Sequence, residues 1–201
     1  MRASFDKLIS VTGLILAVML LAAGGLLTYA YSYIGGEVEK QLTAQDITMP
    51  QGAALDALPP ADKAALEPYA GSPMDTGPEA RAYADHYIQA HLNAASGGKS
   101  YSEVSGAYQA MSPAEKASPA GQALGGLRET LFQGNTLRGL LLYGAAFATM
   151  GTIAGYAAVG AFIGAVILLV LGLMGLRHAR RMEAVATAEP TLTDPAPAPV
   201  S

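Results

Sequence analysis

The chain has 201 residues, 51% of them hydrophobic, with a formal net charge of −4 and no cysteine. That charge, with basic residues clustered only at two short flanks, argues against a nucleic-acid partner. The missing thiols exclude disulfides, thiolate metal sites and cysteine nucleophiles.

Residues 1–7 form a short basic segment, Arg2 and Lys7 against Asp6. Residues 8–36 follow without a single charge, and this stretch of 29 exceeds the about 20 apolar residues that cross a bilayer. It is expected as transmembrane helix 1. Tyr29, Tyr31 and Tyr33 stand near its far end, where amphipathic rings favour the headgroup level. A cleavable signal peptide is the rival reading, but its apolar region would run only about 7–15 residues, with a small-x-small site beyond. Here Ala22, Ala23 and Gly24 lie inside the run, so an uncleaved anchor is expected.

Residues 37–138 are the one sizeable polar segment. Up to Leu137 it carries twelve acidic and six basic residues, a net of −6. Basic residues instead gather at the N-terminus and in Arg177, Arg180 and Arg181, so both termini are expected in the cytoplasm and the acidic segment outside. The patterning inside it is helical. Pro59-Pro60 opens a short helix that Pro68 stops. Pro78 and Glu79 start a second helix, on which Ala80, Tyr83, Ala84, Tyr87, Ile88, His91, Leu92 and Ala95 form one stripe. Gly97-Gly98 ends it. Ser112 and Glu115 make a capping box for another short helix. A last helical stretch, from about Ala120 through Leu131, leads into the next apolar run. Large apolar residues are sparse in this segment, so its stripes are expected to rest on the spans, a second copy or a partner.

Residues 139–176 are 38 without charge, read as one long transmembrane helix 2 with an outer extension through Leu140–Tyr143. Two short spans meeting near Gly155–Gly160 are the alternative. Each would fall short of about 20 residues, and the second crossing would put the basic cluster outside. Residues 177–201 read as a basic flank and a disordered cytoplasmic tail. Small residues recur along the second span at Gly144, Ala148, Gly151, Gly155, Gly160 and Gly164, a face for helix packing within the chain, with a membrane-protein partner or in a homo-oligomer. On the first span Gly13, Ala17 and Gly24 offer a smaller one.

Three motifs invite chemistry. Asn93 to Ser100 ends in Gly-Lys-Ser like a phosphate-binding loop, yet Asn93 replaces the first glycine and a helix precedes it, whereas the mechanism needs a strand–loop–helix cradle. A helix end with an exposed Lys99 is the expected reading. His86 and His91 are five residues apart, about 140° round a helix at about 100° per residue, and cannot grip one ion together. His91 is expected to pack in the stripe and His86 to face water, and no metal or cofactor is expected. Neither span holds an ionisable residue, which argues against transport by this chain alone.

Gln41–Thr48, Ser96–Glu103 and Glu129–Tyr143 resemble segments of a group of small actinobacterial two-span membrane proteins that often carry the label aromatic ring-opening dioxygenase. The resemblance covers most of residues 8–181. It implies two spans enclosing an external domain in a Gram-positive envelope. The activity is not carried over, because the iron ligands of that enzyme class have no convergent counterpart in this sequence.

The expected fold is therefore mainly α, integral to the membrane, with two transmembrane helices and a helical extracytoplasmic domain between them. The expected role is a non-catalytic structural or accessory component of a cell-envelope membrane complex. The alternative is an extracytoplasmic ligand-binding or sensing module with Tyr83, Tyr87 and His91 lining a groove, and a ring-opening dioxygenase ranks third.

Overall fold

The computed structural model describes residues 2–188 of the chain. Two long helices dominate: α1 over Arg2–Thr43 and α8 over Pro119–Ala188, 70 residues in one piece. Between them lie α2 (Ala53–Asp56), α3 (Pro60–Leu66), α4 (Gly77–Ala82), α5 (Gln89–Ser96), α6 (Tyr101–Ala110) and α7 (Pro113–Ala117). The described residues form no strand, only an isolated bridge between Thr48 and Pro73. α1 runs on past Gly36 into the acidic segment. α8 shows no break at Gly155–Gly160 and continues through the basic cluster to Ala188. Residues 182–188, expected as tail, are thus helical, and the rest of the expected tail lies outside the described residues.

The chain divides into two compact units, Ala30–Ile153 and the residues up to Tyr29 together with those from Ala154 on. The unit Ala30–Ile153 is built on water-soluble rules. α4, α6 and α7 each start with a capping box, Thr76 with Glu79, Ser100 with Glu103 and Ser112 with Glu115. In each, the hydroxyl and the carboxylate satisfy backbone N–H groups that a helix start leaves unpaired. Gly97 closes α5 in the left-handed conformation, φ 63°, that glycine adopts without steric penalty. Met49, Leu66, Met74, Val104 and Leu131 are its largest fully enclosed side chains. The same cluster takes in Leu42 from α1 and Leu141 from α8, so the short helices rest on both long ones, as their sparse apolar content requires. A Cβ added at Gly77 would collide with Ala148, which shows how closely α4 approaches α8.

Glu79 holds the turn before α4. It is 7% exposed, yet its carboxylate accepts from Ser72 Oγ (2.8 Å), Thr76 Oγ1 (2.7 Å) and the N–H groups of Asp75 (3.1 Å) and Thr76 (3.0 Å). Burial pushes its pKa up, but the donors, led by the Thr76 hydroxyl, outweigh this and hold it below the usual carboxylate value. Asp75 moves the opposite way, raised by burial and then by the neighbouring Glu79 charge.

In the other unit the rules invert. Buried positions on the α8 side are Ala158, Ala165, Gly172 and Ala179, and on the α1 side Ser10, Ala17 and Gly24. Both sets step by seven residues, the period of a left-handed helix pair. A Cβ added at Gly172 would lie 2.9 Å from Leu14, one at Gly164 3.2 Å from Leu20, and one at Gly24 2.9 Å from Phe162. Rising numbers on one helix thus meet falling numbers on the other, so the two segments are antiparallel. Large residues point outward: Ile15 is 57% exposed, Val18 62%, Ile163 56% and Leu173 52%.

Both long helices are long and apolar enough to cross a membrane, with mean hydropathy of 2.3 and 2.6 in their best windows. Only 17% of either window is buried.

Candidate functional site

The stripe expected after Pro78 exists, but its phase differs. Tyr83–Ile88 is a π turn, in which the Gln89 N–H reaches back five residues to the Ala84 carbonyl. In a regular α-helix, residues four apart drift by about 40° per step, given about 100° per residue. The wider turn offsets that drift, so Ala80, Ala84, Ile88, Leu92 and Ser96 all stay buried along one row. Tyr83 and Tyr87 fall half-buried at its edge, and His91 and Ala95 are exposed. Tyr83, Tyr87 and His91 stack as a ladder of rings, with centroids 4.8 and 4.4 Å apart. Burial raises the Tyr83 phenol.

The two histidines exchange their expected roles. His91 lies in water, its Nδ1–H donating to the Tyr87 carbonyl at 2.7 Å. His86 is the partly covered one, its Nδ1–H meeting Asp62 Oδ1 of α3 at 2.9 Å. On the other side of the π turn, Asp85 Oδ1 accepts from Arg138 Nη2 of α8 at 2.6 Å. The π turn is thus tied to two other elements by polar side-chain contacts. No group of three or more His, Asp or Glu among the described residues could hold a metal ion.

The small-residue face also divides. Gly144 lies beside Leu42, Ala148 under Gly77 and Gly151 against Ile34, all within the unit Ala30–Ile153. Gly164 packs on Leu20, Gly155 is half-buried, and Gly160 is exposed with nothing within 4 Å of an added Cβ. The seam residues Ala158, Ala165 and Ala179 escaped the reading by glycine pairs. Their signal was the seven-residue step that they share with Gly172.

The clearest concave site with polar chemistry lies between α5, the start of α6 and the Leu131–Thr136 stretch of α8, with a volume of about 640 Å³. Its floor is apolar, Leu92 and Leu131, except for Ser96, whose buried Oγ has no hydrogen-bond partner. Its walls are amides. Gln89 Nε2 donates to Asn93 Oδ1 at 2.8 Å, and Asn135 Nδ2 donates to the Leu131 carbonyl at 2.8 Å. At the rim Phe132 is 52% exposed and tilted against Tyr101, centroids 5.9 Å apart. Lys99 is the one charged residue lining it. An apolar groove of about 380 Å³ lies elsewhere on this unit, along Leu42, Leu137 and Leu141, with Glu37 and Gln41 at its edge.

The sequence signal for the 640 Å³ cleft was present but misassigned. Asn93 to Ser100, weighed as a phosphate-binding loop, supplies one side of it, and the Ser100-x-x-Glu103 capping box marks a helix that the sequence reading passed over.

Comparison with protein-family models, with curated proteins and with solved structures finds no match.

Proposed function

We propose that the chain is a two-span membrane protein with both termini in the cytoplasm. Residues 37–138 then face outward and act as a non-catalytic, structural or accessory part of a cell-envelope complex. The observation that carries this reading is the 17% burial of two strongly apolar helix windows. Apolar surface left in water costs about 25 cal/mol per Å², and side chains such as Leu26 (71% exposed) and Val166 (56%) repeat that cost along both helices. A bilayer removes it. The orientation rests on charge: the acidic segment on one side, Arg177, Arg180 and Arg181 on the other.

The accessory role rests on two features. The outer unit draws its core in part from residues of both long helices, Leu42 of α1 and Leu141 of α8. Gly160 leaves a backbone-deep notch on an exposed apolar face, and close approach through small residues is how helices associate in lipid.

Single cysteines at Ser4, Ala107 and Thr187 test the topology without background, because the wild-type chain has no thiol. A membrane-impermeant maleimide on intact cells is expected to label only Ala107→Cys, an exposed site on α6, and all three after lysis. Labelling of Thr187→Cys from outside would overturn the two-span reading. Crosslinking in native membranes then tests the role: one recurrent protein partner or a second copy supports it, and a chain that crosslinks to neither sinks it.

A further inference from the structure

We propose that the cleft between α5, α6 and α8 binds a neutral saccharide, one sugar ring seated over Ser96 with its apolar face on Phe132. The inference goes beyond the accessory reading and holds on either side of the membrane. Its volume, about 640 Å³, lies within the roughly 300–1,000 Å³ of small-molecule sites. Three properties of the lining select the ligand.

The first is an unmet hydrogen bond. Ser96 is 7% exposed and its Oγ is unpartnered at the floor. Buried polar groups are ordinarily paired, and the partner that this hydroxyl lacks within the protein is supplied by a water or by a ligand hydroxyl.

The second is the balance of donors and acceptors. With Gln89 Nε2 bonded to Asn93 Oδ1, Gln89 keeps a carbonyl oxygen and Asn93 a free NH₂. With Asn135 Nδ2 on the Leu131 carbonyl, Asn135 keeps its own carbonyl oxygen. Ser96 and Ser102 add hydroxyls. Neutral donors and acceptors thus line one space together, and a hydroxyl that both donates and accepts is their complement. Phe132, half-exposed beside them, offers the flat apolar surface that the C–H face of a pyranose covers.

The third is what the site refuses. A phosphate on Gly98-Lys99-Ser100 would need free backbone N–H groups. All three are engaged: Gly98 N–H with the Asn93 carbonyl (2.9 Å), Lys99 N–H with the Ser96 carbonyl (3.4 Å) and Ser100 N–H with Glu103 Oε2 (2.8 Å). The α6 N-terminus therefore already holds a carboxylate, and a second anion beside it would be repelled.

The test uses the full chain in nanodiscs, free of sugar-headed detergents, and saturation-transfer NMR. The probes are N-acetylglucosamine, cellobiose and maltose, with inorganic phosphate as the anionic comparison. At least one saccharide is expected to bind, with about tenfold weaker binding in Asn93→Ala and in Phe132→Ala, the loss of one good contact. Lys99→Ala is expected to stay within about twofold. Ser96→Ala distinguishes a ligand contact from a structural one: deleting the orphan hydroxyl should raise the melting temperature and still weaken the sugar. Binding of none of the three saccharides would overturn the proposal. So would saccharide binding indifferent to Asn93→Ala and Phe132→Ala, or phosphate binding that Lys99→Ala abolishes.

Discussion

The unit Ala30–Ile153 fully encloses large side chains such as Leu66 and Met49 and, Glu79 apart, leaves its charges at least partly exposed, whereas the other unit encloses alanine, glycine and serine and exposes leucine, isoleucine and valine. The same residue types stand on opposite sides of the backbone. The difference follows from solvent. In water, enclosing Leu66 and Met49 is favourable in itself, while in the proposed bilayer lipid tails are as apolar as leucine and only close packing distinguishes a helix from its surroundings.

The largest effects should come from reversing this rule. Leu66 is 0% exposed, and Leu66→Ala is expected to destabilise the unit Ala30–Ile153 by about 2–5 kcal/mol. Leu173, 52% exposed on α8, should tolerate the same change within about 0.5 kcal/mol. Ala165→Leu, an enlargement at a 0% exposed seam position, should cost about 1–3 kcal/mol. Melting of the three variants in nanodiscs, followed by circular dichroism, tests the ordering. Equal losses for Leu66→Ala and Leu173→Ala would erase the contrast.

A smaller effect should come from the capping boxes, which among the described residues lie in the unit Ala30–Ile153. Glu79→Ala leaves Ser72, Thr76 and two backbone N–H groups short of an acceptor, and a loss of roughly 2 kcal/mol is expected. The pH dependence has a definite sign. Glu79, Glu103 and Glu115 are all held below the ordinary carboxylate value, the latter two by bonds from Ser100 and Ser112. Their contribution is complete above the unfolded value of 4.5 and is lost as pH falls through the lower folded values. Asp75, raised, contributes the opposite slope, and its stabilisation fades as pH rises through its folded value. Ser100→Ala should flatten the acid limb of a stability–pH curve, and an unchanged limb would mean that the cap is not linked to folding.

The smallest effect separates the two histidines. His86→Ala should cost up to about 1 kcal/mol through its partly exposed pair with Asp62, and His91→Ala close to nothing. A double-mutant cycle with Asp62→Ala should recover most of the His86 term. A larger loss at His91 would mean that the stripe follows a regular α-helix after all.

Much of the fold was legible because it rests on local rules. The two apolar runs, the proline that opens α3 and the Ser112 capping box could be read residue by residue. α6 was equally readable from Ser100 and Glu103, but the Gly-Lys-Ser pattern drew that segment toward another reading. The phase of the Tyr83–Ile88 turn could not be read, since no residue type specifies a backbone bond to the fifth residue back rather than the fourth. The cleft stayed hidden for a different reason. Ser96 and Phe132 are 36 positions apart in the chain, and only the packing of α5 on α8, where Leu92 presses on Gly134, brings them together.

The π turn also sets the rotational phase of everything that follows it on this helix. A substitution in Tyr83–Ile88 that let the turn close to an ordinary α-helix at unchanged length would rotate everything downstream by about 100°. Leu92 and Ser96 would leave the core side, and the cleft would lose its floor without any of its own residues changing. A one-residue deletion that closed the turn would restore that phase, so homologous chains should either keep the wide turn at this length or lose one residue between Ala80 and Ser96 together with it.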